Sequence, residues 1–371
     1  MKKLITAIGL MSGTSCDGID ASIIKSDGEN ELDLIGNSFI PYEEKTRFKI
    51  RQFKESIDKL LDLEINKNKI ANLEQEITHL HLKAVKHILE KLKINKSDID
   101  IVGLHGHTIF HSFYEKKTKQ LGDGKTLSKL TGLSVIYNFR ENDLKNGGQG
   151  APLVPIFHKL LQKKFQLKMP LVFVNIGGIS NLTYLDKNDE MISFDSGPGN
   201  FLIDKLLQLK SNNKIQFDKN GEMAFKGKVD KNILDSFLSD SYYDQPPPKS
   251  LDVNDFNISA VRGISVENSI TTLSELTALT VVNALNFFLK KPHEIILCGG
   301  GRKNKYIHGR IKKMSNVSTV CIDEYKLDGD FVESQAFAYL AIRSFLNKPI
   351  TFPETTGVSK QVTGGSLVEF K

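Results

Sequence analysis

The sequence predicts an α/β protein of two lobes, and three observations predict it. Apolar runs of strand length alternate with longer segments of helical periodicity along the 371 residues. A hairpin rich in hydrogen-bond donors opens each half of the chain, at 7–24 and again at 171–185. Several apolar runs end in Gly, Asn, Asp or His, and the C-terminal ends of strands are where open α/β sheets gather ligand contacts. Hydrophobic residues make up 40% of the chain and charged residues 25%, which supports two full cores and excludes disordered and fibrous classes.

Charge and cysteine usage narrow the class. The net charge of +6 is spread through Lys-rich stretches such as 48–69. This gives a solvated basic face, with no nucleic-acid partner expected. Cys16, Cys298 and Cys321 are odd in number and widely spaced, which suits a reducing cytoplasm and offers no zinc spacing. The opening MKKLITAIGLMSG breaks its apolar run at Ser12-Gly13, so neither a signal peptide nor a membrane span is expected.

The first hairpin, Ala7 to Ile24, encloses a polar turn. Gly13 and Gly18 permit positive φ and close backbone approach, so successive N–H groups can converge on one anion. Ser12, Thr14 and Ser15 add hydroxyls, and Asp17 can hold a hydrated divalent cation beside a phosphate. An ordinary Gly/Ser/Asp turn accounts for the same residues. A strand follows at 33–40. The stretch 46–92 carries at least two helices, on the spacing of Leu73, Ile77, Leu80, Ala84, Ile88 and Leu92. His79, His81 and His87 have no partner at metal-ligand spacing and are expected at the surface or in packing. The strand 99–104 delivers His105-Gly106-His107-Thr108, and His105, His107 and His111 suit substrate hydrogen bonding or structure better than metal.

Residues 120–126 imitate the end of a P-loop, but Lys119 stands where its first Gly belongs. A loop feeding a short helix is expected there. The strand 133–137 leads to Asn138-Phe139-Arg140 and a Gly-rich turn at 146–155, before a helix near Ile156. Arg140 and Asp143 can clamp a polar ligand; a plain interdomain hinge fits the same composition.

The second half repeats the plan, with Asn175, Gly177 and Gly178 in its hairpin turn. Two such hairpins describe two lobes closing on one polyphosphate. The strand 191–194 carries Asp195 toward a helix at 201–209, and a carboxylate at a strand end can accept a proton. Residues 214–252 read as polar and helical, closing in a stiff Pro-rich loop, Gln245 to Ser250, at a surface or cleft rim. A strong helix is expected at 271–289 and a buried strand at 293–298. Gly299, Gly300 and Gly301 then turn into a helix at 306–314, and three such glycines let the flat end of a nucleoside lie against backbone. The last helix, 331–345, carries Glu333, and the tail beyond it reads as irregular.

The motifs GLMSGTSCDGID, GLHGHT, QLGDG, NFR with GGQGAPLVPIFH, NIGGISNLT, FDSGPGN, PPPKS, GGGRKN, VESQAFAYLA and TTG occur in one order across the chain. In this the chain resembles the anhydro-N-acetylmuramic acid kinase family of the actin-like ATPase and sugar kinase superfamily. The resemblance implies two lobes of ribonuclease-H-like, actin-type fold, drawn at 1–138 plus 346–371 and at 139–345, with ATP and Mg2+ in the interlobe cleft. It implies a kinase of cell-wall recycling that opens the anhydro ring with water and phosphorylates O6, and it suggests a homodimer. ATP contacts then fall on Gly9, Ser12, Gly13, Thr14, Ser15, Asp17, Gly18, Asp20, Asn175, Gly177, Gly178, Gly299, Gly300, Gly301 and Asn304, with the metal held by Asp17 through water. Asp195 becomes the catalytic base. His105, Thr108, Arg140, Gln149, Gly150 and Glu333 become sugar contacts, Arg140 facing the lactyl carboxylate. The chain departs from the family's usual residues at Cys16, Leu104, His107, Asn138 and 251–254. A kinase for another sugar and an actin-like conformational ATPase stand as alternatives; the polar residues after the strands favour a bound small molecule over the latter.

Overall fold

β1 (Ile5–Ser12) is buried at every position, the unbroken apolar run of a central strand covered on both faces. The computed structural model describes residues 3–13 and 15–370. β1 pairs antiparallel with β2 (Gly18–Ser26), which pairs antiparallel with β3 (Leu32–Pro41). On its other side β1 runs parallel to β4 (Ile101–Ser112), and β4 parallel to β6 (Val135–Tyr137), with β5 (Lys117–Leu121) folded back on β4. The second sheet repeats this order. β7 (Leu171–Ile176), β8 (Ile179–Leu185) and β9 (Met191–Pro198) form an antiparallel meander. β10 (Glu294–Cys298) and β11 (Ser318–Cys321) add in parallel on the far side of β7. Three antiparallel strands followed by two parallel ones, built twice, is the ribonuclease-H-like plan expected from the motifs.

Each sheet buries its own core. In the first unit, Ile70, Leu73, Ile77, Ala84, Val85 and Ile88 of the helix Lys67–Leu92 recur at helical spacing and pack against Ile8, Leu10, Val102 and Leu104. The opposite face is closed by the helix Val332–Phe345, which lies over β1, β2 and β4. In the second unit the helix Val266–Ala284 is buried along most of its length and joins the core with Val172, Val174, Leu182 and Phe194.

The division of the chain differs from the expected one. One unit is Met1–Phe165 with Phe331–Lys371, and the other is Gln166–Asp330. The helix Val332–Phe345 belongs to the first unit because Gly9 and Gly103, register partners on β1 and β4, leave a trough for it. A Cβ on Gly9 would stand 1.9 Å from the Ser334 carbonyl oxygen, and one on Gly103 2.4 Å from that of Phe337. Gly9, expected at a phosphate, thus serves packing. Gly9→Val is expected to destabilise the protein by about 3 kcal/mol through overpacking. Gly263→Ala, where an added Cβ meets nothing within 4 Å, is expected to be neutral. Urea unfolding followed by circular dichroism checks both; equal midpoints would contradict the packing role.

Smaller corrections follow from edges and loops. β4 continues to Ser112, so His105 and His107 stand inside a strand. Of 214–252 only Lys231–Leu238 forms an α-helix, and the rest is loop with short 3-10 turns. The strong helix spans Val266–Ala284. The tail is ordered in part: β12 (Ser366–Val368) pairs antiparallel with β6. No helix among the described residues is long and apolar enough to cross a membrane.

Candidate active site

The loop between β1 and β2 reaches its shape differently from the expectation. Among the described residues of this loop the left-handed one is Cys16, at φ 54°. Gly18 serves close approach instead: a Cβ there would meet the Ile40 carbonyl oxygen at 2.2 Å. Ser12 turns inward, where its hydroxyl accepts a hydrogen bond from Tyr42 at 2.9 Å and lies 3.0 Å from His107 Nδ1. Cys16 Sγ lies 3.5 Å from His107 Nε2, so Ser12 and Cys16 brace the loop from below. Burial holds His107 down at about 3, neutral, and pushes the Cys16 thiol up.

The outer side of this loop carries Ser15 and Asp17, both exposed. Ser15 Oγ donates to Asp17 Oδ1 at 2.7 Å, and Arg51 Nη2 donates to the Ser15 carbonyl at 3.3 Å. A lone exposed carboxylate fits a cation that keeps most of its water, as Mg2+ does. Thr14 lies outside the described residues. Asp20 sits on β2 opposite Met11.

Also in the first unit, His105 occupies a β-bulge: β1 pairs Leu10 with Leu104 and then Met11 with Gly106, which leaves His105 as the extra residue. Its Nε2 accepts from Arg140 Nε at 3.2 Å and Nη2 at 3.0 Å. The imidazole proton therefore sits on Nδ1, which donates to the Gly106 carbonyl at 2.9 Å. Burial, with the Arg140 charge beside it, keeps His105 well below the usual histidine range. Arg140 Nη1 also donates to the Gly150 carbonyl at 2.7 Å. Asn138 precedes this group in the left-handed region, at φ 58°, a conformation Asn tolerates.

Gln149 is fixed through its backbone, donating to the Thr356 carbonyl and accepting from His111 Nε2 at 2.9 Å. Thr108 Oγ1 accepts from Gln120 at 3.3 Å. Glu333 stands in the first turn of the helix Val332–Phe345; burial raises its carboxyl, and the charge of Arg140 opposes the rise. Asp143, expected to clamp a polar ligand, is engaged within the chain. Its two oxygens accept from Thr356 Oγ1 and the Gly150 N–H, each at 2.6 Å, and so brace the Gly-rich turn.

In the second unit, register sets one row of polar residues across the sheet. Asn175 on β7 faces Asn181 on β8, and Asn181 faces Asp195 on β9. Directly opposite residues share a face. A bulge follows at once, since Ser180 pairs with Gly197 and Asn181 with Asp195. Asp195 is thus a residue inside β9, re-aimed at a bulge, and it is buried.

The turn glycines of this unit cluster at the ends of β7 and β10. A Cβ on Gly299 would meet Asn175 Oδ1 at 2.4 Å, and one on Gly301 would meet Ile176 at 2.2 Å. The carbonyls of Gly177 and Gly178 accept from the backbone of Asn200 and Gly199. Beneath Gly299, Arg302 donates to its carbonyl at 3.0 Å while gripping Asp323 through two nitrogens and Asp330 through a third. Asn304 caps the helix Lys305–Ser315, its Oδ1 accepting from Tyr306 and Ile307 N–H. Gly300 stays open, with nothing within 4 Å of an added Cβ.

The family model for anhydro-N-acetylmuramic acid kinase matches residues 5–369. The chain is 44% identical to the anhydro-N-acetylmuramic acid kinase of Pelagibacter ubique, across 100% of both chains. It is 40% identical to that of Rhizobium etli, with 98% of each chain covered. The chain belongs to the anhydro-N-acetylmuramic acid kinase family. It is accordingly a kinase, a transferase of sugar metabolism.

Within that family assignment the structure adds residues that pattern reading passed over. Asn181 follows from counting register across the second hairpin. Arg51 reads in sequence as one cation of a solvated helix, yet it holds the Ser15 carbonyl. Lys249, in the Pro-rich loop, is buried behind Asp195; burial draws its ammonium down to about 8, against the opposing charge of Asp244. The motif PPPKS contains Lys249 but does not show its setting, because the Phe194 and Phe287 rings beside its ammonium come from distant segments.

Proposed function

We propose that the protein opens the 1,6-anhydro ring of anhydro-N-acetylmuramic acid with water while the γ-phosphoryl group of ATP passes to O6. The products are N-acetylmuramic acid 6-phosphate and ADP, a step of peptidoglycan recycling. The observation that carries this reading is the buried Asp195 carboxylate, aimed by a bulge and held in one row with Asn175 and Asn181.

Asp195 takes a proton from water as the water oxygen bonds to C1. The C1–O6 bond breaks, O6 accepts the phosphoryl group, and the bond from that group to ADP breaks in turn. His105 is neutral with its proton on Nδ1, which leaves Arg140 as the cation of its group. Arg140 meets the lactyl carboxylate, with Thr108, Gln149, Gly150 and Glu333 completing the sugar contacts. The phosphates of ATP fall to the loop from Ser12 to Gly18 and the turn at Asn175, Gly177 and Gly178. The adenosine end falls to Gly299, Gly300 and Gly301. Asp17 would hold Mg2+ through water, and the ion would supply positive charge against that developing on the phosphoryl group. Ser12 and Asn304 serve by bracing these loops. The family resemblance extends the proposal to a cytoplasmic homodimer.

Purified protein given ATP, Mg2+ and the anhydro sugar is expected to release ADP and phosphorylated sugar in equal amounts. ATP turnover that ignores the sugar would overturn the reading in favour of a conformational ATPase. Equal turnover with an ordinary hexose would move it to another sugar.

A further inference from the structure

The loop 242–251 grips Asp195 at three atoms. The Asp195 N–H donates to the Lys249 carbonyl at 3.0 Å. The Tyr242 hydroxyl donates to the Asp195 carbonyl at 2.6 Å. The Leu251 N–H donates to Asp195 Oδ2 at 2.9 Å, and this bond reaches the carboxylate itself.

One side chain ties the two ends of this loop together. Lys249 Nζ donates to the carbonyls of Tyr242 at 2.8 Å and Tyr243 at 3.2 Å. It stands 4.6 Å from the ring centres of both Tyr242 and Phe287, and 5.7 Å from that of Phe194. A cation among aromatic faces is attracted to each of them, more strongly when shielded from water. The ammonium thereby ties the start of the loop, at Tyr242, to its end, at Lys249. Phe194 is also the neighbour of Asp195 on β9. No ligand is needed to explain so enclosed a lysine: its contacts are with the loop and the strand that carry the catalytic carboxylate.

We infer that Lys249 is a positioning residue of the reaction, which sets the Asp195 carboxylate through the 242–251 loop. The inference rests on Asp195 acting as the base. The titratable neighbours of this clasp are Tyr242 and Tyr243, whose phenols burial raises, with Asp244 on the loop and Asp240 and Asp255 flanking it. A hydrogen bond to the ionised carboxylate favours that form. Loosening the loop weakens the Leu251 bond and is therefore expected to shift the acid limb of kcat toward higher pH.

The test compares Lys249→Met, Lys249→Arg, Tyr242→Phe and Asp195→Asn in the full-length enzyme, with ATP, Mg2+ and the anhydro sugar. Lys249→Met is expected to lower kcat about thirtyfold, with KM for ATP within about twofold, and to move the acid limb up by about one pH unit. Lys249→Arg, which keeps the cation, is expected to recover most of the rate. Tyr242→Phe keeps a ring over Nζ but loses one bond to Asp195, and is expected to lower kcat about fivefold with KM unchanged. A folded Lys249→Met enzyme with unaltered kcat and acid limb, beside an inactive Asp195→Asn, would overturn the inference alone. Should Lys249→Met not fold, Tyr242→Phe decides, and an unchanged kcat there overturns it. An active Asp195→Asn would instead remove the base, and the inference with it.

Discussion

Asp195→Asn is expected to lower kcat about a thousandfold while leaving ATP binding within about twofold of the wild type. The amide is the same size as the carboxylate and can still accept the Leu251 N–H through its oxygen. The bulge and the backbone bonds of Asp195 to Lys249 and Tyr242 do not involve the side chain, so the fold of β9 is expected to survive. What the variant loses is the capacity to take a proton from water. Single-turnover kinetics and ATP titration read these two quantities separately. A variant with near-normal kcat would transfer the base to another carboxylate, and Glu333 is the candidate, since Asp143 is committed to Thr356 and Gly150.

Arg140→Met is expected to raise KM for the anhydro sugar about a hundredfold. A charge-assisted pair with a carboxylate is worth about 2–3 kcal/mol, and each 1.4 kcal/mol is a factor of about ten. The guanidinium is oriented before substrate arrives, by His105 Nε2 on one side and the Gly150 carbonyl on the other, so little ordering remains for binding to supply. The variant also strips donors from those two acceptors, and a general loss of site structure has to be separated from loss of the ion pair. An anhydro sugar without the lactyl group makes the separation. Its KM is expected to be nearly the same in wild type and variant, whereas an equal rise for both sugars would assign Arg140 a structural role only.

How much of this was legible in the sequence depends on how local the signal is. Both hairpins could be read because a Gly/Ser/Asn/Asp turn between apolar strands is a short-range pattern, and the register of the second one sets Asn181 opposite Asn175; the pairing of Asn181 with Asp195 comes from β9. The short edge strands β5, β11 and β12 could not, because sequences such as KTKQL and STVC lack a buried face along their length. The unit boundary failed for a different reason. The helix Val332–Phe345 is buried nearly all round, its polar Ser334, Gln335 and Arg343 included, and its residues do not say under which sheet it lies. Gly9 carries that information, and in a donor-rich stretch it resembles a ligand glycine. The inward turn of Ser12 was equally out of reach: it depends on Tyr42 and His107, which lie 30 and 95 residues away. Lys249 owes its place to rings from Phe194 and Phe287, a setting that no window of sequence contains.

In the proposed reaction one water molecule enters the sugar at C1 while the phosphoryl group goes to O6. Running the reaction in water labelled with oxygen-18, and weighing the products at early times, tests it most directly. One labelled oxygen is expected in the sugar portion of the 6-phosphate, and no label in the phosphoryl group. A phosphorylated product that has gained no water, or labelled inorganic phosphate with the anhydro sugar left unchanged, would contradict it.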